Sequence, residues 1–109
     1  MDSAKIKKKK RLASLLREVA GSFIRFEVDP EALVTATKVI LSASTDYVRV
    51  LISVFPEKKE KEIVDLLNRK RKDLRKFLKA ETRLQNLPEV SFEIDKGLKL
   101  ETKIENILK

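Results

Sequence analysis

The stretch 68–72 carries the clearest chemistry in this sequence, because it reads Asn-Arg-Lys-Arg-Lys in the middle of a helical pattern. Ile63, Leu67, Leu74 and Leu78 are spaced for one apolar helix face, and the cations interrupt that face. Since burying an unpaired charge is costly, two adjacent cations cannot replace an apolar pair in a core. We therefore expect the helix to bend or leave the core here and to present its cations to an anionic partner. A solvated helix midpoint is the simpler alternative.

Two groups of cations have the spacing to neutralise phosphates. The first group comprises Lys7, Lys8, Lys9, Lys10, Arg11 and Arg17. The second group comprises Arg69, Lys70, Arg71, Lys72, Arg75, Lys76, Lys79 and Arg83. On a helix, positions 72, 75, 76, 79 and 83 share one face, opposite or beside the apolar stripe. The alternatives are a frayed, solvated terminus for the first group and a solvated helix face for the second.

The net charge of +8 is concentrated in two segments. Residues 1–25 hold eight cations and two anions, and residues 57–87 hold eleven cations and six anions. Residues 26–56 and 88–109 carry net charges of −2 and −1. Because a basic surface kept only for solubility would be spread more evenly, this separation favours a polyanionic partner.

The composition argues against an active site. The chain has no cysteine and no histidine, which excludes disulfides, thiol nucleophiles, the usual zinc ligands and the most common proton carrier near neutral pH. Glu57, Glu60, Glu62 and Asp65 are interleaved with lysines, which favours surface ion pairs over a metal or acid/base site. We expect no enzymatic activity, no metal, no cofactor and no small-molecule substrate.

Neither a transmembrane segment nor a signal peptide is predicted. Arg17 and Glu18 interrupt the stretch that follows the basic segment 1–11. The lack of cysteine fits a reducing compartment, so we expect a cytoplasmic protein. We also expect a monomer. A protein-interaction or membrane-surface role for the basic first helix stays open, but it requires an exposed apolar stripe where we predict burial.

The elements that must position the cations follow from the apolar periodicity, and the 109 residues are enough for one domain with a two-layer core. The predicted elements are a helix at 4–25, a strand hairpin at 33–42 and 47–55, a helix from Pro56 to the interruption, a helix at 73–84, a strand at 89–95 and a short helix after Gly97. This α-β-β-α-α-β-α order predicts an α+β fold, a three-stranded sheet with its helices on one face.

The segments resemble, in order and spacing, the ribosome-binding factor A family, which has a type II KH fold. The matching stretches are 11–17 in the first helix, 34–42 and 48–54 in the strands, 67–69, 74–75 and 84–92 with Asp95, and 103–104 with 107–108. The resemblance covers nearly the whole chain. It implies a non-enzymatic factor that binds the immature small (30S) ribosomal subunit and assists maturation of its 16S rRNA.

The chain departs from the family at the interruption. The resemblance implies that a kink with an Ala-x-Gly pattern replaces the Gly-x-x-Gly loop found between the helices of other KH domains. Lys70, Arg71 and Lys72 occupy those positions here, where a KH domain approaches the nucleic-acid backbone. A generic KH-like protein that binds other RNAs is the alternative function.

Aromatic side chains, which stack on bases in many readers of single-stranded RNA, are few. The six are Phe23, Phe26, Tyr47, Phe55, Phe77 and Phe92. Phe77 and Phe92 have core periodicity, and we expect Tyr47 and Phe55 to pack as well. The sequence therefore predicts recognition of RNA shape and phosphates more than of bases.

Overall fold

The computed structural model describes residues 3–108, which fold into helices on a mixed three-stranded sheet. The elements are α1 (Ser3–Glu27), β1 (Leu33–Leu41), β2 (Tyr47–Phe55), α2 (Glu60–Arg69), α3 (Arg71–Glu81), β3 (Glu89–Ile94) and α4 (Lys96–Leu108). The predicted α+β class and the element order are confirmed, as is the helix break within 68–72. A 3₁₀ turn over Glu57–Lys59 precedes α2, where the sequence predicted continuous helix from Pro56.

The sheet has the strand order β1-β2-β3. β1 and β2 pair antiparallel, as predicted for a hairpin, with Leu41 opposite Val48. β2 and β3 pair parallel, with Val50 opposite Phe92, and the two helices between them form the crossover that parallel strands require. Thr37 is an extra residue in β1, so the register shifts there as in a β-bulge.

The core lies between one face of the sheet and helices α1, α2 and α3. The predicted alternation of inward and outward side chains along β2 is confirmed. Val48, Val50, Ile52 and Val54 all point inward and are buried. The helices contribute Leu16, Val19, Ala20, Phe23, Ile24, Ile63, Leu67, Leu74 and Leu78. Within residues 3–108 no polar or charged side chain is fully buried, so the described cations all reach the surface.

The prediction that Tyr47 and Phe55 pack is wrong. Tyr47 is 60% exposed and Phe55 is 72% exposed, because the strand alternation turns both toward the outer face of the sheet, away from the core helices. Leu33, the partner of Phe55 across the β1–β2 ladder, is exposed as well. Phe92 is buried as predicted, and Phe77 is half-buried against the core.

The last helix, α4, is attached through its first turn. One carboxylate oxygen of Asp95 accepts a hydrogen bond from the Leu98 N–H at 2.9 Å, and the other accepts one from the Thr37 hydroxyl at 2.6 Å. The Lys99 ammonium lies 3.2 Å from Glu57 and 3.0 Å from Glu60. Beyond this turn, the apolar side chains of α4 are exposed, namely Leu100, Ile104, Ile107 and Leu108.

Candidate nucleic-acid interface

The break between α2 and α3 is a one-residue kink at Lys70. Its backbone φ of −97° and ψ of 19° lie outside the helical range, although its N–H still points to the carbonyl oxygens of Leu66 and Leu67 at 3.2 and 3.1 Å. The Leu74 N–H bonds to the Lys70 carbonyl oxygen at 3.0 Å, so α3 starts immediately. The cations of the kink are therefore held on ordered backbone rather than on a loop.

Asn68 anchors this kink to the sheet. Its side-chain NH₂ donates to the Phe92 carbonyl oxygen at 3.0 Å, and its side-chain oxygen accepts from the Phe92 N–H at 2.9 Å. Because β3 is an edge strand, the amide of Asn68 occupies the place that the backbone of a neighbouring strand would take. The sequence placed Asn68 among the polar residues of the interruption but held no signal of this pairing.

Two of the predicted RNA-contacting cations are engaged within the protein. The Arg71 Nε donates to the Asn68 carbonyl oxygen at 2.9 Å, which satisfies one of the free carbonyls at the end of α2. The Lys70 ammonium lies 2.8 Å from a Glu27 carboxylate oxygen, and this hydrogen-bonded pair raises the pKa of Lys70. Lys70 thus ties the kink to the end of α1.

The other twelve cations of the two groups are exposed, and within residues 3–108 their side chains make no ion pair and no hydrogen bond. They are Lys7, Lys8, Lys9, Lys10, Arg11, Arg17, Arg69, Lys72, Arg75, Lys76, Lys79 and Arg83. Elsewhere on the surface, Arg49, Lys59 and Lys99 each have a carboxylate partner, whereas Lys5, Lys38, Lys58, Lys61, Lys96 and Lys103 make no ion pair within residues 3–108. We call the twelve the unpaired cation set.

The sequence predicted that Arg83 would continue the cationic face of α3, and this prediction is wrong. The helix ends at Glu81, because Thr82 adopts an extended conformation with φ −132° and ψ 167°. The Thr82 hydroxyl donates to the Leu78 carbonyl oxygen at 2.7 Å and closes the last turn. Arg83 therefore lies in the segment between α3 and β3, just past the end of the helix.

Helices α1 and α3 run antiparallel where they touch. Glu27 contacts Lys70 at the start of α3, and Phe23, one turn earlier in α1, packs against Phe77 with ring centroids 5.8 Å apart and planes tilted by 54°. The beginning of α1 therefore points toward the end of α3, where Lys79 lies. Residues 3–11 of α1 are all exposed, so this basic part of the helix is open to solvent.

The comparisons with known proteins identify the family of this chain. A family model described as ribosome-binding factor A matches residues 8–108. This chain belongs to the ribosome-binding factor A family. Ribosome-binding factor A of Synechococcus sp. (strain CC9311) is 30% identical over 103 residues, which cover 90% of this chain and 77% of that protein.

Two solved structures of ribosome-binding factor A are similar to this chain. The crystal structure of the Thermus thermophilus factor has a TM-score of 0.70 and 26% identity, covering 79% of this chain and 94% of that one. A homology model of the T. thermophilus factor, fitted into the cryo-EM map of a 30S–RbfA complex, has a TM-score of 0.66 and 26% identity. It covers 74% of this chain and 88% of that one.

In this member of the ribosome-binding factor A family, the kink forms without the Ala-x-Gly pattern. A φ of −97° is negative and accessible to any L-residue, so Lys70 needs no glycine-like freedom. The anchor from Asn68 to β3 and the cap from Arg71 hold the kink instead. With Lys70, Arg71 and Lys72 in place of the Ala-x-Gly pattern, the turn therefore still forms and carries additional cations.

Two surface depressions adjoin the kink. One, of about 810 Å³, is lined by Arg69, Arg71 and Lys72 together with Glu62, Asp65 and Asn68. The other, of about 270 Å³, lies between α3 and β3 and is lined by Arg71, Lys72, Arg75, Glu89 and Val90. The larger depression is lined by cations and by two carboxylates, whereas the smaller one has a single carboxylate beside its three cations. The smaller depression is therefore the better match for a phosphate backbone.

The described part of the chain offers few other kinds of site. Across residues 3–108 no cluster of three or more acidic residues is arranged to hold a metal ion. None of the helices described there has the length and hydrophobicity needed to cross a membrane. The apolar stripe of the core part of α1 is buried, as predicted, through Leu16, Val19 and Phe23.

Proposed function

We propose that this ribosome-binding factor A family member binds the small (30S) ribosomal subunit and assists the maturation of 16S rRNA. In this proposal α1 and α3 neutralise rRNA phosphates, and the protein catalyses no reaction. The observation that carries the proposal is the unpaired cation set, which lies mostly on α1 and α3, with Arg69 at the end of α2 and Arg83 just past α3. The fitted 30S complex of the T. thermophilus factor supports the choice of the small subunit.

The mechanism is electrostatic and depends on a rigid scaffold. An exposed cation without a carboxylate partner exchanges only its counterions for phosphate, whereas a paired cation must first lose its ion pair. Each phosphate neutralised releases condensed counterions, so the log–log dependence of affinity on salt has a slope of about −0.7 to −0.9 per contact. Because the kink is hydrogen-bonded to β3, the cations stay in a fixed arrangement that favours one rRNA conformer.

Matched charge-reversal variants test the role of the α3 cations. Lys72→Glu, Lys76→Glu and Lys79→Glu together remove three members of the unpaired cation set. Lys38→Glu, Lys58→Glu and Lys61→Glu together change the net charge equally on β1, the 3₁₀ turn and the start of α2, and these three lysines are also exposed. Affinity for purified small subunits is measured by sedimentation at several salt concentrations.

We expect the α3 variant to bind small subunits more weakly and its salt slope to be flatter by roughly 2 to 3. The control variant should bind with a slope close to that of the unmodified protein. Equal losses in both variants would mean that only net charge matters and would contradict the proposed interface. Binding to free RNAs but not to small subunits would favour the generic KH-like alternative.

The maturation step is tested separately in cells. Deleting the gene for this protein should raise the ratio of 16S precursor to mature 16S rRNA, and the α3 charge-reversal variant should fail to restore it. The control variant should restore it. An unchanged precursor ratio in the deletion strain would contradict the maturation role while leaving small-subunit binding standing.

A further inference from the structure

Phe26 is the most exposed of the six aromatic side chains, at 78%, and it lies in the last turn of α1. Its ring is not loose, because it packs edge-on against Phe77 of α3 with centroids 6.0 Å apart and planes at 62°. Phe77 in turn contacts the buried Phe23. Three rings thus form a row from the core to the surface, and the outermost ring is held in place with most of its surface open.

The surroundings of Phe26 distinguish it from the other exposed aromatics. The next residue, Glu27, bonds to Lys70 at the kink, and the ring contact is to Phe77, which directly follows the unpaired Lys76. Phe26 therefore lies where the last turn of α1 meets α3, while the unpaired cations of α1 lie toward the other end of that helix. Phe55 is exposed to a similar extent, at 72%, but it lies on the outer face of the sheet, away from α1 and α3.

We propose that Phe26 stacks on an unpaired nucleobase of the RNA whose phosphates the cations of α1 and α3 hold. The inference rests on the proposed function and extends it from phosphate contact to base contact. Every base has an apolar π-face, so stacking on an aromatic ring adds affinity without requiring a sequence. The exposed ring then has the same RNA partner as the cations of α3, the helix that it contacts, and this RNA is single-stranded where the base stacks.

The test compares Phe26→Ala with Phe55→Ala as a matched control for exposed phenylalanine. Three probes are used: a short single-stranded RNA of mixed sequence, the same strand in a duplex, and the same strand with abasic sites. We expect Phe26→Ala to weaken binding to the intact single strand by roughly 5- to 150-fold, the range that base–aromatic stacking supplies per base. The salt slope should stay unchanged, because no phosphate contact is lost.

The probes and a second variant separate stacking from other roles. Binding of the duplex and of the abasic strand should change little in Phe26→Ala, and Phe55→Ala should bind all three probes normally. Phe26→Trp should bind the single strand at least as well as the unmodified protein, whereas Phe26→Leu should not. Recovery by leucine would overturn stacking in favour of an apolar contact with a protein. Thermal melting checks that each variant is folded.

The outcomes also separate this inference from the proposed function. If the unmodified protein sediments with small subunits in a salt-dependent way and Phe26→Ala binds the single strand normally, stacking is overturned and the proposed function stands. If no single-stranded RNA is bound at any salt concentration, stacking is overturned as well. If the unmodified protein binds neither small subunits nor RNA, both proposals fail together.

Discussion

Asn68 determines where the kink lies relative to the sheet, since a single side chain makes both hydrogen bonds to the backbone of Phe92. Asn68→Ala leaves that N–H and that carbonyl without partners in a part-buried position. We expect a loss of about 1–3 kcal/mol in the free energy of unfolding, the usual cost of leaving such groups unsatisfied. Urea denaturation measures it, with Asn106→Ala on the exposed part of α4 as the control.

The same variant tests whether the anchor matters for RNA. Because the cations of the kink are untouched in Asn68→Ala, a weaker affinity for small subunits with an unchanged salt slope would reflect lost positioning. A free energy of unfolding equal to that of Asn106→Ala would contradict the role of Asn68 as an anchor.

Lys70 and Lys72 are two residues apart but have different roles. Lys70 bonds to Glu27, whereas Lys72 belongs to the unpaired cation set. Lys70→Glu places two carboxylates in contact and should lower stability, and Glu27→Lys combined with Lys70→Glu should recover it. Lys72→Glu should weaken RNA binding with little change in stability. Equal stability of all variants in urea denaturation would contradict the structural role of Lys70.

The pH dependence of this pair has a defined sign. The Glu27 carboxylate raises the pKa of Lys70 above its ordinary value of 10.5. The stability that the pair contributes is therefore complete below pH 10.5 and is lost as the pH rises through the higher folded pKa. The difference in stability between the unmodified protein and Lys70→Met should disappear in that alkaline range. A difference that persisted there would contradict the pairing.

At the scale of elements, the attachment of α4 depends on Asp95, which caps its first turn and also accepts from the β-bulge residue Thr37. The Thr37 hydroxyl, followed by the Leu98 N–H, lowers the pKa of Asp95 from its ordinary value of 3.8. The stability from this carboxylate is therefore complete above pH 3.8 and is lost as the pH falls through the lower folded pKa.

Thr37→Val removes the larger cause of that shift while keeping the shape of the side chain. We expect the pKa of Asp95 to move back up toward its ordinary value and the amide hydrogens of α4 to exchange faster. NMR titration of the carboxyl group measures the first effect, and hydrogen exchange measures the second. Thr35→Val, on the same strand and exposed, is the control. An unchanged Asp95 pKa would show that the hydroxyl does not hold the carboxylate.

At the scale of the whole molecule, the sequence predicted the elements well because each is encoded locally. The alternation of β2 and the apolar spacing of α1, α2 and α3 depend on neighbouring residues only. The parallel pairing of β2 with β3, the anchor from Asn68 to Phe92 and the ion pair of Lys70 with Glu27 join distant segments. Periodicity contains no information on such contacts, so the sequence did not predict them.

The sequence predicted which segments carry the cations of the candidate interface, but not which of these cations are paired, because pairing joins distant segments. A charge count is enough to find two cationic helices, but pairing decides which cations are open to a ligand. Twelve of the fourteen predicted residues are unpaired within residues 3–108, while Lys70 and Arg71 serve the kink. The exposure of Phe26, Tyr47 and Phe55 likewise depends on which faces the helices cover. Local periodicity did not reveal that coverage.

The central claim is that a fixed array of unpaired cations binds the small ribosomal subunit. The most direct test is sedimentation of the purified protein with isolated small and large subunits at low and moderate salt. We predict binding to the small subunit alone, falling steeply as salt rises because several phosphates are neutralised. Equal binding to both subunits, or binding to the small subunit that does not respond to salt, would contradict the claim.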